Sequence, residues 1–168
     1  YMWRKYFDEN PIADLTSYSA VTPIIRYAEV LLSYLECLIE SGQSINQSIL
    51  DATINKVRSR ADVNMPPKTE TNPAVLRELV RNERRVELAF EGIRYWDLLR
   101  WGIAHEVLVG EIWGAPYPDS PLYATSTKEV DPTGHCRWYV GRRDFRNPQD
   151  YQWPIPISEQ NVNPNLRE

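Results

Sequence analysis

Apolar residues recur at helical spacing in three successive stretches of the chain and then lose that spacing. In the first, Ile24, Ala28, Leu31, Leu32, Leu35 and Leu38 follow Pro23 at intervals that build one broad face of an amphipathic helix. Pro23 suits a first turn, and Ser41 with Gly42 supplies a stop, because glycine is at ease in the left-handed position that closes helices. A second helix is predicted from about Ile45 to Ala61 through Ile49, Ile54 and Val57. The third opens at Asn72, a good N-cap, with Pro73 where its missing N–H costs nothing. Val75, Leu76, Leu79, Val80, Val86 and Phe90 then repeat over about five turns. Gly92 ends that helix, and Ile93 to Trp101 reads as a shorter one beyond a bend, with a weaker continuation through Ile103, Val107 and Leu108.

The flanks differ. Tyr1 to Thr22 is polar and aromatic and reads as extended backbone. From Gly110 onward prolines recur, at Pro116, Pro118, Pro121, Pro132, Pro148, Pro154, Pro156 and Pro164. That zone is predicted to be loops with at most a short hairpin around Arg137 to Val140. The chain therefore reads as one all-α unit over residues 1–168. A helical hairpin spans 23–61, charged helices span 73–109, and a long loop-rich segment spans 110–168. Two helices joined by a short link match a tetratricopeptide-like hairpin, whose period is about 34 residues. One such hairpin cannot bury its own apolar face and must stack on others into an α-α superhelix.

Charge is concentrated on the third and fourth helices. Arg84, Glu87 and Glu91 share a face by three- and four-residue spacing, and Arg94 and Asp97 are matched in the same way beyond Gly92. One reading is catalytic: Glu83 or Glu87 with Glu91 would resemble the carboxylate pair of a glycoside hydrolase. The other is structural: acids surrounded by arginines stay ionised and paired, which suits a proton donor poorly. Arg84, Glu87, Glu91, Arg94 and Asp97 are accordingly expected to form an ion-pair network that fixes geometry more than it adds stability.

Composition narrows the classes further. With 168 residues, 42% of them hydrophobic, the chain can fill a core. A net charge of −4 and the lack of a basic run argue against nucleic acid as a partner. No segment is apolar for long enough to span a bilayer. Cys37 and Cys136 lack CxxC spacing, and with two scattered histidines they form no zinc pattern, so neither a metal nor a cofactor is expected. Cys37, on an apolar helix, reads as a small buried hydrophobe.

The loop zone holds the candidate ligand contacts: Trp113, Tyr117, Tyr123, Trp138 and Tyr139. A sugar ring presents C–H groups on one face, and these pack well on an indole or phenol, which loses little entropy on binding. The same aromatics could instead pin long loops onto the helices. Trp96 and Trp101, on the short charged helix, read as core.

Four segments, in order, resemble one family. RNERRVELAFEGIRYWDLLRW (residues 81–101) is similar to the signature of the SusD/RagB outer-membrane lipoproteins. PIIRYAEVLLSYLECL (23–38) resembles that family's IRYAEVLLxYAEA helix, INKVRSRADV (54–63) its INKIRxRAG helix, and YQWPIPISEQNVNPNL (151–166) its closing YLWPIPxxEIxxNPxL strip. The resemblance implies helical, tetratricopeptide-like units supporting a loop-rich binding part. It implies non-catalytic capture of a nutrient, an oligosaccharide or in rarer cases a peptide, on the outer surface of a Gram-negative outer membrane. The partner implied is a SusC-like TonB-dependent transporter, which such a protein covers like a lid. Family members are longer and begin with a lipoprotein signal, so a chain opening on Tyr1 reads as a C-terminal portion. Their glycan-contacting aromatics come largely from upstream segments. The competing readings are a tetratricopeptide-type interaction scaffold without its own ligand and the glycoside hydrolase using Glu83, Glu87 and Glu91.

Overall fold

The computed structural model describes residues 23–61, 63–115 and 127–166. The chain separates into two compact units, Tyr1–Glu91 and Gly92–Glu168.

In the first unit, helix α1 (Tyr27–Glu40) starts later than the pattern suggests: Arg26 is the N-cap, in extended backbone. Ile24 lies outside the helix and is 94% exposed. The stop at Gly42 is as expected, with a φ of +73°. The Gly42 N–H donates to the Ile39 carbonyl and the Gln43 N–H to the Leu38 carbonyl, the paired bonds that close a helix around a left-handed glycine. The single helix expected over 45–61 is broken into α2 (Gln47–Ala52) and α3 (Ile54–Arg58). Asn46 caps α2 by accepting from the Ile49 N–H at 3.0 Å. The break falls on Thr53, whose hydroxyl donates to the Ile49 carbonyl at 2.6 Å. A β-branched residue bonding back one turn competes with the helix ladder.

Helix α4 (Pro73–Glu87) is capped by Asn72, which accepts from the Ala74 and Val75 N–H groups. Its buried face is narrower than the expected stripe: Leu76, Val80 and Arg84 recur every fourth residue, and Leu88 continues the row. Val75, Val86 and Phe90 are exposed. The core joins Leu32, Leu35, Leu38 and Ile39 of α1 to Leu50 of α2, Ile54 and Val57 of α3, and Leu76 and Val80 of α4. Helix α1 contacts α2, α3 and α4. Cys37 is exposed rather than buried: Leu38 and Ile39 turn into the core, and position 37 falls on the outward side of α1.

The second unit departs from the all-α expectation. It begins with α5 (Ile93–Arg100) and α6 (Ala104–Val107), but the zone read as loops contains a three-stranded antiparallel sheet. Its strands are β1 (Gly110–Gly114), β2 (Lys128–Val130) and β3 (Cys136–Arg143), in the order β1-β3-β2. The prolines of this zone fall between or after the strands in sequence and leave the strands themselves free to pair; Pro132 lies in the β2–β3 turn. Asp131 organises that turn, its carboxylate accepting from the Thr133 and His135 N–H groups at 2.8 and 3.0 Å, an Asx-type arrangement. A bulge lies between Ile112 and Trp113. The closing strip runs through a 3-10 turn (Gln149–Tyr151), helix α7 (Ile157–Val162) and a second 3-10 turn (Pro164–Leu166). Among the described residues no helix is long and apolar enough to cross a membrane.

Candidate functional site: a charged cluster and exposed aromatic surfaces

The charged cluster of the first unit is centred on a residue the sequence reading did not single out. Arg26, just ahead of α1, donates from Nε and Nη2 to the two carboxylate oxygens of Glu91 at 2.9 and 2.7 Å. Its Nη1 reaches the Glu87 carboxylate at 2.9 Å and its Nη2 the Glu87 carbonyl at 2.9 Å. Arg60 donates to the same Glu87 oxygen at 2.7 Å. Glu87 and Glu91 are 11% and 5% exposed at the side chain, so these are pairs largely withdrawn from water. The Arg26 guanidinium is stabilised in its charged form above the ordinary arginine value, first through its bond to Glu91.

The other two acids of the cluster are engaged as well. Arg58 binds Glu83 at 2.6 Å and donates to the Pro66 carbonyl at 2.8 Å, tying the loop after α3 to α4. Arg84, 3% exposed at the side chain, lies 3.8 Å from Glu36 and donates to the Ser33 hydroxyl at 2.8 Å. An acid at position 36, inside an otherwise apolar face of α1, was the available signal for that contact, because a buried charge needs a partner. Each of Glu83, Glu87 and Glu91 thus accepts from a guanidinium. A glycoside hydrolase sets two carboxylates across one bond, whereas these three carboxylates face arginines.

Arg94 and Asp97 belong to the second unit. Asp97 is buried and accepts from Arg100 Nε at 2.9 Å. Arg94 and Arg100 lie over the Trp101 ring, 5.6 and 4.9 Å from its centre, at cation–π distance.

The aromatics expected to contact ligand are divided by the sheet. Trp113 on β1 is opposite Tyr139 on β3, and their rings meet edge to face at 5.6 Å. Arg137 lies over the Trp113 ring at 4.4 Å. Trp138 is opposite Gly114, and a Cβ at Gly114 would come within 2.7 Å of its indole nitrogen. Successive strand residues point to opposite faces, so Trp138 is packed on Gly114 while Trp113 and Tyr139 share the other side. Tyr117 and Tyr123 lie outside the described residues.

Trp96, read from the sequence as core, is 55% exposed and stacks on Trp153, which is 74% exposed. Cys136, like Cys37, is an exposed free thiol. No group of three or more His, Cys, Asp or Glu side chains suited to a metal ion occurs among the described residues.

Comparison with known proteins agrees with this architecture. The SusD family model matches residues 1–168, and the chain belongs to that family. It is similar to a SusD-like carbohydrate binding protein of Bacteroides fragilis, with 72% identity and a TM-score of 0.85 over 98% of this chain and 32% of that one. A second SusD-like protein of Bacteroides fragilis is 29% identical, with a TM-score of 0.65 over 94% of this chain and 28% of the other. SusD-like protein P25 of Formosa agariphila is 31% identical over 86% of this chain and 23% of its own length. The chain therefore spans about a quarter of that relative and about a third of the solved structures.

Proposed function

We propose that this chain is part of a non-catalytic glycan-binding protein that captures oligosaccharide at the outer-membrane surface and hands it to a SusC-like TonB-dependent transporter. The observation that carries this reading is the family match over residues 1–168 together with the 72% identical carbohydrate binding relative. The charged cluster supports the non-catalytic part: its acids serve arginines that tie α3, α4 and the lead-in to α1 together, and none is set aside for chemistry. The helices α1 to α3 are read as one tetratricopeptide-like hairpin, whose outward residues Tyr27, Val30 and Tyr34 fit stacking against a further helical pair.

Incubation with a panel of oligosaccharides, followed by calorimetry and an assay for released reducing ends, tests the reading. Saturable binding, thermal protection by the bound glycan and no release of reducing ends are expected. Release of reducing ends that is lost on Glu87→Gln would establish the hydrolase instead. Absence of any glycan binding would favour an interaction scaffold. Co-purification with a SusC-like transporter from outer membranes tests the delivery role.

A further inference from the structure

Trp153 is the most exposed tryptophan among the described residues. Tryptophan is highly buried on average, and here one largely exposed indole lies against a second exposed tryptophan, so the two offer an aromatic surface open to a ligand. The support here is well built. Trp153 stacks on Trp96 with ring centres 6.5 Å apart and planes 23° apart, and Trp96 meets Tyr95 edge to face at 5.6 Å. Pro154 fixes the backbone that follows. The 3-10 turn that precedes it is anchored through Tyr151, whose hydroxyl lies 2.7 Å from His105 Nδ1 and whose ring meets Phe145 at 5.0 Å.

Beside this indole lies a cavity of about 240 Å³, lined by Tyr95, Asp150, Gln152, Trp153 and Pro154. Its walls mix an aromatic surface with a carboxylate and an amide. Arg146 holds the Asp150 carboxylate in place through its Nη2, Nε and backbone N–H at 2.6, 3.0 and 2.7 Å. A pyranose has the matching make-up: a flat face of C–H groups and an edge of hydroxyls. The fixed carboxylate disfavours an acidic sugar.

We propose that Trp153, backed by Trp96, is a stacking platform for one neutral pyranose ring of a glycan, with Asp150 and Gln152 taking hydroxyls from its edge. This rests on the glycan-binding reading and adds a location distinct from the sheet aromatics Trp113 and Tyr139.

The test uses whichever neutral oligosaccharide of the panel binds the unmutated protein. Trp153→Ala and Gln152→Ala should each weaken its Kd, the first at least tenfold, with unchanged circular dichroism, while Arg77→Ala, on the surface of the first unit, leaves it within twofold. Trp153 should be among the first tryptophans oxidised by N-bromosuccinimide, mapped by mass spectrometry, and the glycan should protect it. That measurement needs no mutant and stands even if Trp153→Ala fails to fold. Binding that survives Trp153→Ala, or oxidation of Trp153 that the glycan does not slow, overturns the platform but leaves glycan binding intact. Resistance of Trp153 to oxidation in the free protein shows that protein already covers it, which also overturns the platform. Binding of no glycan at all removes both readings.

Discussion

The two units are held together by different means. In the first, ten buried apolar residues from α1 to α4 form one continuous cluster, and arginine–glutamate pairs close its margin. In the second, the buried apolar residues among those described are Leu98 and Ala104; the rest is a strand ladder, turns and aromatic pairs that remain half in water. The contrast teaches where each unit places its large side chains. The first turns leucines of several helices into one core while Ile24, Tyr27, Tyr34 and Phe90 stay outside it. The second leaves Trp96, Tyr139 and Trp153 accessible and buries Leu98 and Ala104 among its described apolar residues. Stability is not uniform across a structure, and parts with few buried apolar contacts open first.

The largest effect should come from the charges at the edge of the first core. Arg26→Ala leaves Glu87 and Glu91 without their shared partner, and Arg84→Ala removes the cation beside buried Glu36. Breaking a buried pair from one side typically costs roughly 3–5 kcal/mol, out of about 5–15 kcal/mol for an ordinary domain. Urea unfolding should show a sharply lowered midpoint for both. The double variant Arg84→Ala with Glu36→Ala should lose less than the sum of its singles. Midpoints that match the unmutated protein, accompanied by loss of a hydrolytic activity, would return the cluster to catalysis.

Deleting one large side chain from each unit sharpens the comparison. Leu35 is fully buried, and Leu35→Ala should cost about 2–5 kcal/mol through the lost contacts and the cavity left behind. Trp153→Ala removes a larger group but one mostly in water, and should move the midpoint by no more than ~0.5 kcal/mol, as surface changes do. Equal losses would mean that Trp153 is a packing residue.

Much of the first unit was legible in the sequence. The caps at Asn72 and Gly42 and the inward rows of α1 and α4 follow from local pattern, which is what periodicity reports. The break at Thr53 was not visible, because it depends on one hydroxyl choosing a carbonyl one turn back. Nor was the role of Arg26, whose partners lie more than sixty residues away. In the second unit the stretch expected to form a hairpin, Arg137 to Val140, lies inside β3, but proline frequency hid β1 and β2: it marks where strands end as readily as where they are absent. The exposure of Trp96 and Cys37 was missed for a common reason, since a residue's apolar character does not say whether a neighbour exists to cover it.

A smaller effect belongs to the sheet. Gly114→Ala places a methyl group against the Trp138 indole, and overpacking of this kind costs about 1–3 kcal/mol when the neighbour cannot yield. Hydrogen exchange should quicken in β1 and β3 and remain unchanged in α1 and α4. Loss of protection in α1 would show that the two units open together.

The smallest effect should come from Arg77, which donates to both carboxylate oxygens of Glu40 at 2.6 and 3.0 Å on the surface of the first unit. The geometry is as good as that of Arg26 with Glu91, so the pair isolates the influence of burial. The guanidinium bond holds the Glu40 carboxyl below its ordinary value of 4.5. A folded value lower than the unfolded one stabilises the protein above the ordinary value, and that contribution is lost as pH falls through 4.5 towards the lowered value. Arg77→Ala should therefore leave the midpoint nearly unchanged at neutral pH, because water and salt screen an exposed pair. What it should alter is the acid limb, where the drop in stability below about pH 4.5 becomes slightly shallower than in the unmutated protein. Thermal melts from about pH 7 to about pH 3, run beside Arg26→Ala, provide the measurement. If Arg77→Ala destabilises at neutral pH as strongly as Arg26→Ala, burial does not separate the two pairs, and the contrast between core margin and open surface fails.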